Sequence, residues 1–211
     1  QGMMPSEVTN FAVVNNNAEQ AFDQIFASSI DLLITEGNPF GAFNSAILST
    51  THVEALEAQG RIVAGYVNLS VVDSSRPYWK PEWTTNGLAT GVLTNVASTP
   101  SWLVEKNRLS HIDEKTGQTV FDSYVAKYTD LDWQNIVVSY AVELVNAGKY
   151  NAIFLDDAAR YRFFGVDRQT WEPYADAMIN LIHAVRVALD AIRPGIPIIV
   201  NTDVYISDTA T

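Results

Sequence analysis

The 211-residue chain contains no cysteine. That absence excludes disulfides, zinc–thiolate centres and a cysteine nucleophile. Basic residues are scarce: 13 Lys and Arg stand against 24 Asp and Glu, for a formal net charge of -11. Such a balance lacks the basic stripe that neutralises phosphates, so no nucleic-acid partner is expected. It also disfavours docking on anionic lipid and leaves a neutral or cationic partner as the easier match. No apolar run approaches the ~20 residues that span a bilayer, so no membrane insertion is expected. The first apolar run enters Asn15-Asn16-Asn17 with no glycine-rich turn. This counts against a dinucleotide-binding sheet and a sugar-phosphate enzyme.

His52, His111 and His183 are scattered without metal-ligand spacing, and no EF-hand-type run of carboxylates is present. No metal or cofactor is expected. Repeats, low-complexity tracts and Pro/Gly/Ser linkers are missing as well. Residues 3–211 are therefore expected to form one domain, while Gln1-Gly2 ahead of Met3 resembles the remnant of a cleavable tag.

What is present is a hydrophobic fraction of 47%, with 11% aromatic residues, enough for a sizeable core. Short apolar runs predict strands at 11–14, 32–35, 62–69, 102–104, 152–155 and 196–200. Most are continuous rather than alternating, as in a parallel sheet covered on both faces. Between them lie helical patterns. In one, Asp130 is placed as N-cap, Trp133, Ile136, Val137, Tyr140 and Leu144 share a face, and Gly148 is the stop. Further helices are predicted at 171–192, ended by Pro194-Gly195, and at 18–27. Segment 77–91, rich in Trp, Pro and Thr, reads as an excursion beside a pocket. The fold class is α/β. Polar residues stand at nearly every predicted strand end: Asn15, Glu36, Asn68, Asp156, Asp157 and Asn201. They favour a (β/α)8 barrel of the TIM type over an open doubly wound sheet.

Two stretches carry the candidate chemistry. The apolar run 152–155 ends abruptly in Asp156-Asp157, followed by Arg160 and Tyr161. Asp is a poor strand former, so a carboxylate held at a strand end points to catalysis, with the neighbouring charge tuning it. The same pair also suits a structural role, capping the next turn and pairing with Arg160 or Arg162. In the other stretch, Tyr66, Asn68 and Ser70 fall on one side of a strand by period two, and Arg76, Tyr78 and Trp79 follow in the loop. Aromatic rings beside hydrogen-bonding groups fit a sugar, with its apolar C–H faces and polar rim. The alternative is core packing for Tyr66 and Trp79 and a surface ion pair for Arg76. Glu36, before Gly37-Asn38-Pro39, either faces the same site or accepts bonds in a turn. Asp203 and Asp208 are candidates for late carboxylates.

Together these stretches resemble the endo-α-1,4-polygalactosaminidase-like glycoside hydrolases, extracellular barrel proteins. Tyr66, Arg76, Tyr78 and Trp79 are in register with that family's third-strand pattern. Asp130-Leu-Asp132-Trp133 is similar to its helix entry, Ile153-Phe-Leu-Asp156 to its strand ending in Asp, and Ile198-Ile-Val-Asn201 to its next strand. Asn68 stands in place of the family's Ser, and Ser70-Val71 in place of its Gly-Glu. The resemblance implies a (β/α)8 barrel acting on a galactosamine-type polysaccharide or oligosaccharide by carboxylate acid/base chemistry. Asp156 and Asp157 are then the catalytic candidates. Tyr66, Asn68, Arg76, Tyr78, Trp79, Glu36 and Asn201 would bind substrate. Secretion is the expected location. The chain ends at Thr211, soon after the sixth predicted strand, so about six of the eight strand–helix units are expected. A catalytically silent carbohydrate-binding or structural barrel is the alternative function.

Overall fold

The computed structural model describes residues 8–14, 17–37 and 47–203. Among them lie the strands β1 (Phe11–Val14), β2 (Leu32–Thr35), β3 (Ile62–Asn68), β4 (Val71–Val72), β5 (Arg108–Ile112), β6 (Thr119–Val125), β7 (Ala152–Asp156) and β8 (Ile198–Val200). The helices are α1 (Phe22–Ala27), α2 (Thr50–Ala58), α3 (Leu131–Asn146) and α4 (Arg168–Ile192). The chain divides into two units. The first comprises Gln1–Val67, Val137–Asp156 and Leu181–Thr202; the second comprises Asn68–Ile136, Asp157–Asn180 and Asp203–Thr211.

The first unit holds a five-stranded sheet in the order β1-β2-β3-β7-β8. The β1–β2, β2–β3 and β7–β8 ladders are parallel. With β1 and β8 at its two edges, the sheet is open among the described residues. All four residues of β2 are buried, which explains why its sequence is continuously apolar rather than alternating. Leu32, Ile34, Ile62, Ala64 and Ala152 form one apolar cluster, with Tyr66, Phe154 and Ile199 packed against it. By the period of two these residues share a face of the sheet. Val63, Ile153 and Leu155 alternate with them and are fully buried too. Gly65 has a steric reason to be glycine, since a Cβ there would meet Leu144 Cδ1 at 3.1 Å and Tyr150 Cγ at 3.2 Å. Asn151 then ties the start of β7 to β3, accepting the Val63 N–H at 2.7 Å and donating to the Arg61 carbonyl at 2.9 Å.

The second unit contains a three-stranded antiparallel sheet, β4-β6-β5. Its regular elements are short, and aromatic residues do much of the packing. Trp102 and Trp133 lie 4.8 Å apart between ring centres, with Tyr78 edge-on to both and Trp83 edge-on to Trp102. Segment 77–91 is anchored by this cluster through Trp79, Trp83 and the Pro81–Trp83 3-10 turn.

Several expectations are corrected. Residues 102–104 form no strand; Leu103 N–H closes a turn on the Pro100 carbonyl, and Trp102 is buried among rings instead. The helix expected at 18–27 is a turn over its first residues and becomes α-helical only at Phe22. The strand expected at 196–200 starts at Ile198, because Pro197 has no N–H to give a ladder. Helix α4 starts at Arg168 rather than Trp171 because Asp167 caps it. The Asp167 carboxylate accepts the Thr170 N–H at 3.0 Å, and the Thr170 bonds hold that carboxyl below its ordinary range. Helix α3 matches its expected cap, with Asp130 Oδ1 accepting the Asp132 N–H at 3.0 Å. Asn15, Asp208 and Gln1-Gly2 lie outside the described residues.

Candidate functional site

In the first unit the site grows out of the sheet itself. Tyr66 continues the row Ile62, Ala64 on β3, and Asp156 continues the row Ala152, Phe154 on the adjacent β7. Both side chains therefore emerge on the face of the apolar cluster, at the C-terminal ends of their strands. The Tyr66 hydroxyl donates to Asp156 Oδ2 at 2.6 Å. Asn201 follows β8 in the same row as Ile199, and its Nδ2 donates to Asp156 Oδ1 at 2.7 Å. Its backbone extends the pairing beyond β8, with Asn201 N–H on the Leu155 carbonyl at 2.8 Å. Each carboxylate oxygen thus receives a donor carried by a neighbouring strand, which fixes the plane and direction of the group. Phe154, one pleat below Asp156, stacks on Tyr66 with centroids 6.0 Å apart, so the phenol is held along its length.

Glu36 continues the row Leu32, Ile34 just past β2. Its carbonyl accepts the Tyr150 hydroxyl at 3.1 Å. The adjacent Gly37 carbonyl accepts the Tyr140 hydroxyl. Two tyrosines thereby pin the backbone where β2 ends.

In the second unit the next residue, Asp157, has different partners. Its Oδ2 accepts Asn68 Nδ2 at 2.7 Å and its Oδ1 accepts Arg160 Nε at 2.9 Å. Its backbone is left-handed, with φ 60° and ψ 30°. That region is uncommon for a residue with a Cβ, though Asp tolerates it better than most, and it costs of order 1 kcal/mol. Asn68 also accepts the N–H groups of Ser70 at 3.0 Å and Val71 at 2.7 Å. The buried Ser70 donates its hydroxyl to the Asp157 carbonyl at 3.1 Å. The sequence pattern contains these partners but not their pairing.

The loop residues are placed mainly by packing. Trp79 is 8% exposed and donates its indole N–H to the Gly87 carbonyl at 2.9 Å. Tyr78 accepts the Asp73 N–H through its hydroxyl at 3.1 Å and turns its ring into the tryptophan cluster. Arg76 forms an ion pair with Asp73 at 3.4 Å. Further along, the fully buried Tyr161 donates its hydroxyl to Asp203, and Arg162 pairs with the same carboxylate at 2.8 Å. Burial, then the bond to Asp203, pushes the Tyr161 phenol up to about 12. In the sequence Tyr161 stands out only as a neighbour of Arg160; nothing local announces its tie to Asp203, 42 residues away.

Among the described residues no group of three or more His, Asp or Glu is arranged to hold a metal ion. Nor is any of their helices long and apolar enough to cross a membrane.

No protein-family model matches the chain. A Thermotoga maritima protein described only as uncharacterized is 23% identical over 141 residues, 67% of this chain and 36% of its own length. Solved structures give wider coverage. The glycoside hydrolase domain of PelA from Pseudomonas aeruginosa superposes with a TM-score of 0.53 at 15% identity, over 91% of this chain and 58% of that one. Its E218A variant gives 0.55 at 15% identity, over 92% and 60%. The α-L-fucosidase isoenzyme 2 of Paenibacillus thiaminolyticus gives 0.52 at 14% identity, over 91% and 32%. The chain thus spans about a third of its curated relative and under two thirds of these structures. Its fold is like that of glycoside hydrolase domains.

Proposed function

We propose that this chain is a glycoside-hydrolase-like domain that cleaves glycosidic bonds in an amino-sugar, galactosamine-type polysaccharide, with Asp156 as one of two participating carboxyl groups. The observation that carries the proposal is the Tyr66–Asp156–Asn201 constellation. It is an oriented carboxylate at the C-terminal ends of parallel strands, where active sites of parallel α/β folds are built. The fold likeness supports the same view, with the five-stranded sheet as part of a (β/α)8 barrel. Glycoside hydrolysis needs one carboxyl group to protonate the leaving oxygen and another to meet the positive charge that develops at the anomeric carbon. A carboxylate already fixed by a phenol and an amide loses little freedom on reaching that geometry. Asp157 takes a positioning role in this proposal, because the Arg160 guanidinium pairs with its carboxylate, whereas the two donors on Asp156 are neutral. The charge of -11 would draw a cationic, partly deacetylated polymer to the surface. Secretion would put the protein where such polymers occur.

The test is release of reducing ends from partially deacetylated galactosaminogalactan. Asp156→Asn keeps the shape of the group and should lower the rate by about 10³-fold, with binding of the polymer retained. Binding by the wild type with no new reducing ends would instead favour a carbohydrate-binding module without catalysis.

A further inference from the structure

Asp157 is a left-handed residue with a side chain, placed directly after a strand that ends in a carboxylate. Three groups hold it, two through its side chain and one through its carbonyl. The Asn68 amide and the Arg160 guanidinium take its two carboxylate oxygens, and the Ser70 hydroxyl takes its carbonyl. Asn68 works through both ends of its amide. Its oxygen closes the turn at Ser70 and Val71, while its nitrogen reaches Asp157, 89 residues away in the chain. Asn suits this double duty, because one end of the amide only accepts and the other only donates.

We infer that Asn68 is a positioning residue: it locks Asp157 in the left-handed conformation and so sets the direction in which the chain leaves Asp156. The consequence for the reaction rests on the function proposed above. The lock itself does not. The φ of residue 157 governs where the chain goes after β7, and the Asp156 carboxylate, tied to Tyr66 and Asn201, sits one peptide bond before that turn. Displacements of about 1 Å in a reacting group cost up to ~10²-fold in rate.

Asn68→Asp is the informative variant. It is isosteric and still accepts from Ser70 and Val71, but it has no donor for Asp157 and sets a second carboxylate against it. The expected result is a fall in kcat of about 10- to 10²-fold with KM changed far less. The three-bond HN–Hα coupling and 13Cβ shift of residue 157 should leave their left-handed values at the same time. In an Asp157→Gly background, where glycine adopts that conformation unaided, Asn68→Asp should add little. Unchanged coupling at residue 157 in Asn68→Asp would overturn the lock. An altered coupling with unchanged kcat would overturn the positioning role. A wild type that releases no reducing ends would remove the reaction from the proposal, and the lock would then stand or fall on the coupling alone.

Discussion

The two units bury their interiors with different chemistry. The parallel-sheet unit relies mainly on aliphatic side chains and alanine: Leu32, Ile34, Ile62, Ala64 and Ala152 share one cluster, Leu33, Val63 and Ile153 are buried beside it, and only at the end of β2 do the Tyr140 and Tyr150 hydroxyls meet carbonyls. Its backbone polar groups are satisfied by strand ladders. The unit built on the antiparallel ribbon has long stretches without regular structure, and its buried rings carry polar handles that end on carbonyls. Trp133 donates to Leu69, Trp79 to Gly87, Tyr124 to Gly91 and Tyr128 to Tyr174. Where no ladder exists to consume backbone acceptors, an indole or phenol serves as both packing and partner. Replacing one of these rings therefore removes a hydrogen bond, whereas replacing an aliphatic residue of the first unit's cluster removes only contact.

Stability measurements can test this contrast. Trp133→Ala should have the largest effect, about 3–5 kcal/mol read from the denaturant midpoint, since it loses a fully packed ring and its donor. Leu33→Ala in the first unit should cost about 2–5 kcal/mol for volume alone. Trp133→Phe comes next and is the more selective probe. It keeps aromatic bulk but leaves the Leu69 carbonyl without its indole, at about 1–3 kcal/mol. Leu33→Met, which conserves volume, should cost less than about 1.5 kcal/mol. Equal losses in these two would refute the distinction.

Alkali supplies a milder test. Burial pushes the Tyr124, Tyr128 and Tyr150 phenols well above their ordinary value, and Tyr161 up to about 12. Three of these four tyrosines lie in the second unit. A raised folded-state value means that the unfolded chain releases its phenol protons first. The stabilisation is complete below about pH 10 and is lost as pH rises through the folded values. Tyrosinate absorbance should therefore lag on titration above about pH 10 and then rise together with loss of tertiary structure. A smooth titration near pH ~10 for every tyrosine would contradict this. The exposed Arg168–Glu172 pair marks the bottom of the scale, with Arg168→Ala changing stability by less than about 0.5 kcal/mol.

Legibility in the sequence is highest for the parallel strands of the first unit. Strands β1 and β2 match their predicted bounds, β3 and β7 differ by one residue, and β8 by two; in β2, β3 and β7 most residues are buried, so these strands leave continuous apolar runs. Helix α2 escapes the periodicity: its buried face is only Val53 and Leu56, although Ser49 accepting the His52 N–H is a recognisable cap. The ribbon β5–β6 escapes it as well, since its outer half is exposed and mixes polar residues with Ile112 and Phe121, so no apolar run or clean alternation marks it. A turn signal is nonetheless present between them, Asp113 through Gly117 with φ 69°. Trp102 misleads because an apolar triplet after proline looks like a strand until its ring finds other rings.

The α/β class, the course of most parallel strands and the carboxylates at the end of one of them follow from the amino-acid order alone. Periodicity and composition are local, and these features are written locally. Which donors meet Asp156 and which meet Asp157 is a matter of three-dimensional arrangement. The donors are Tyr66 and Asn201 for the first, Asn68 and Arg160 for the second. Hydrogen bonds spanning up to 90 residues depend on strand order and on one left-handed residue, and neither is encoded in any short window of the chain.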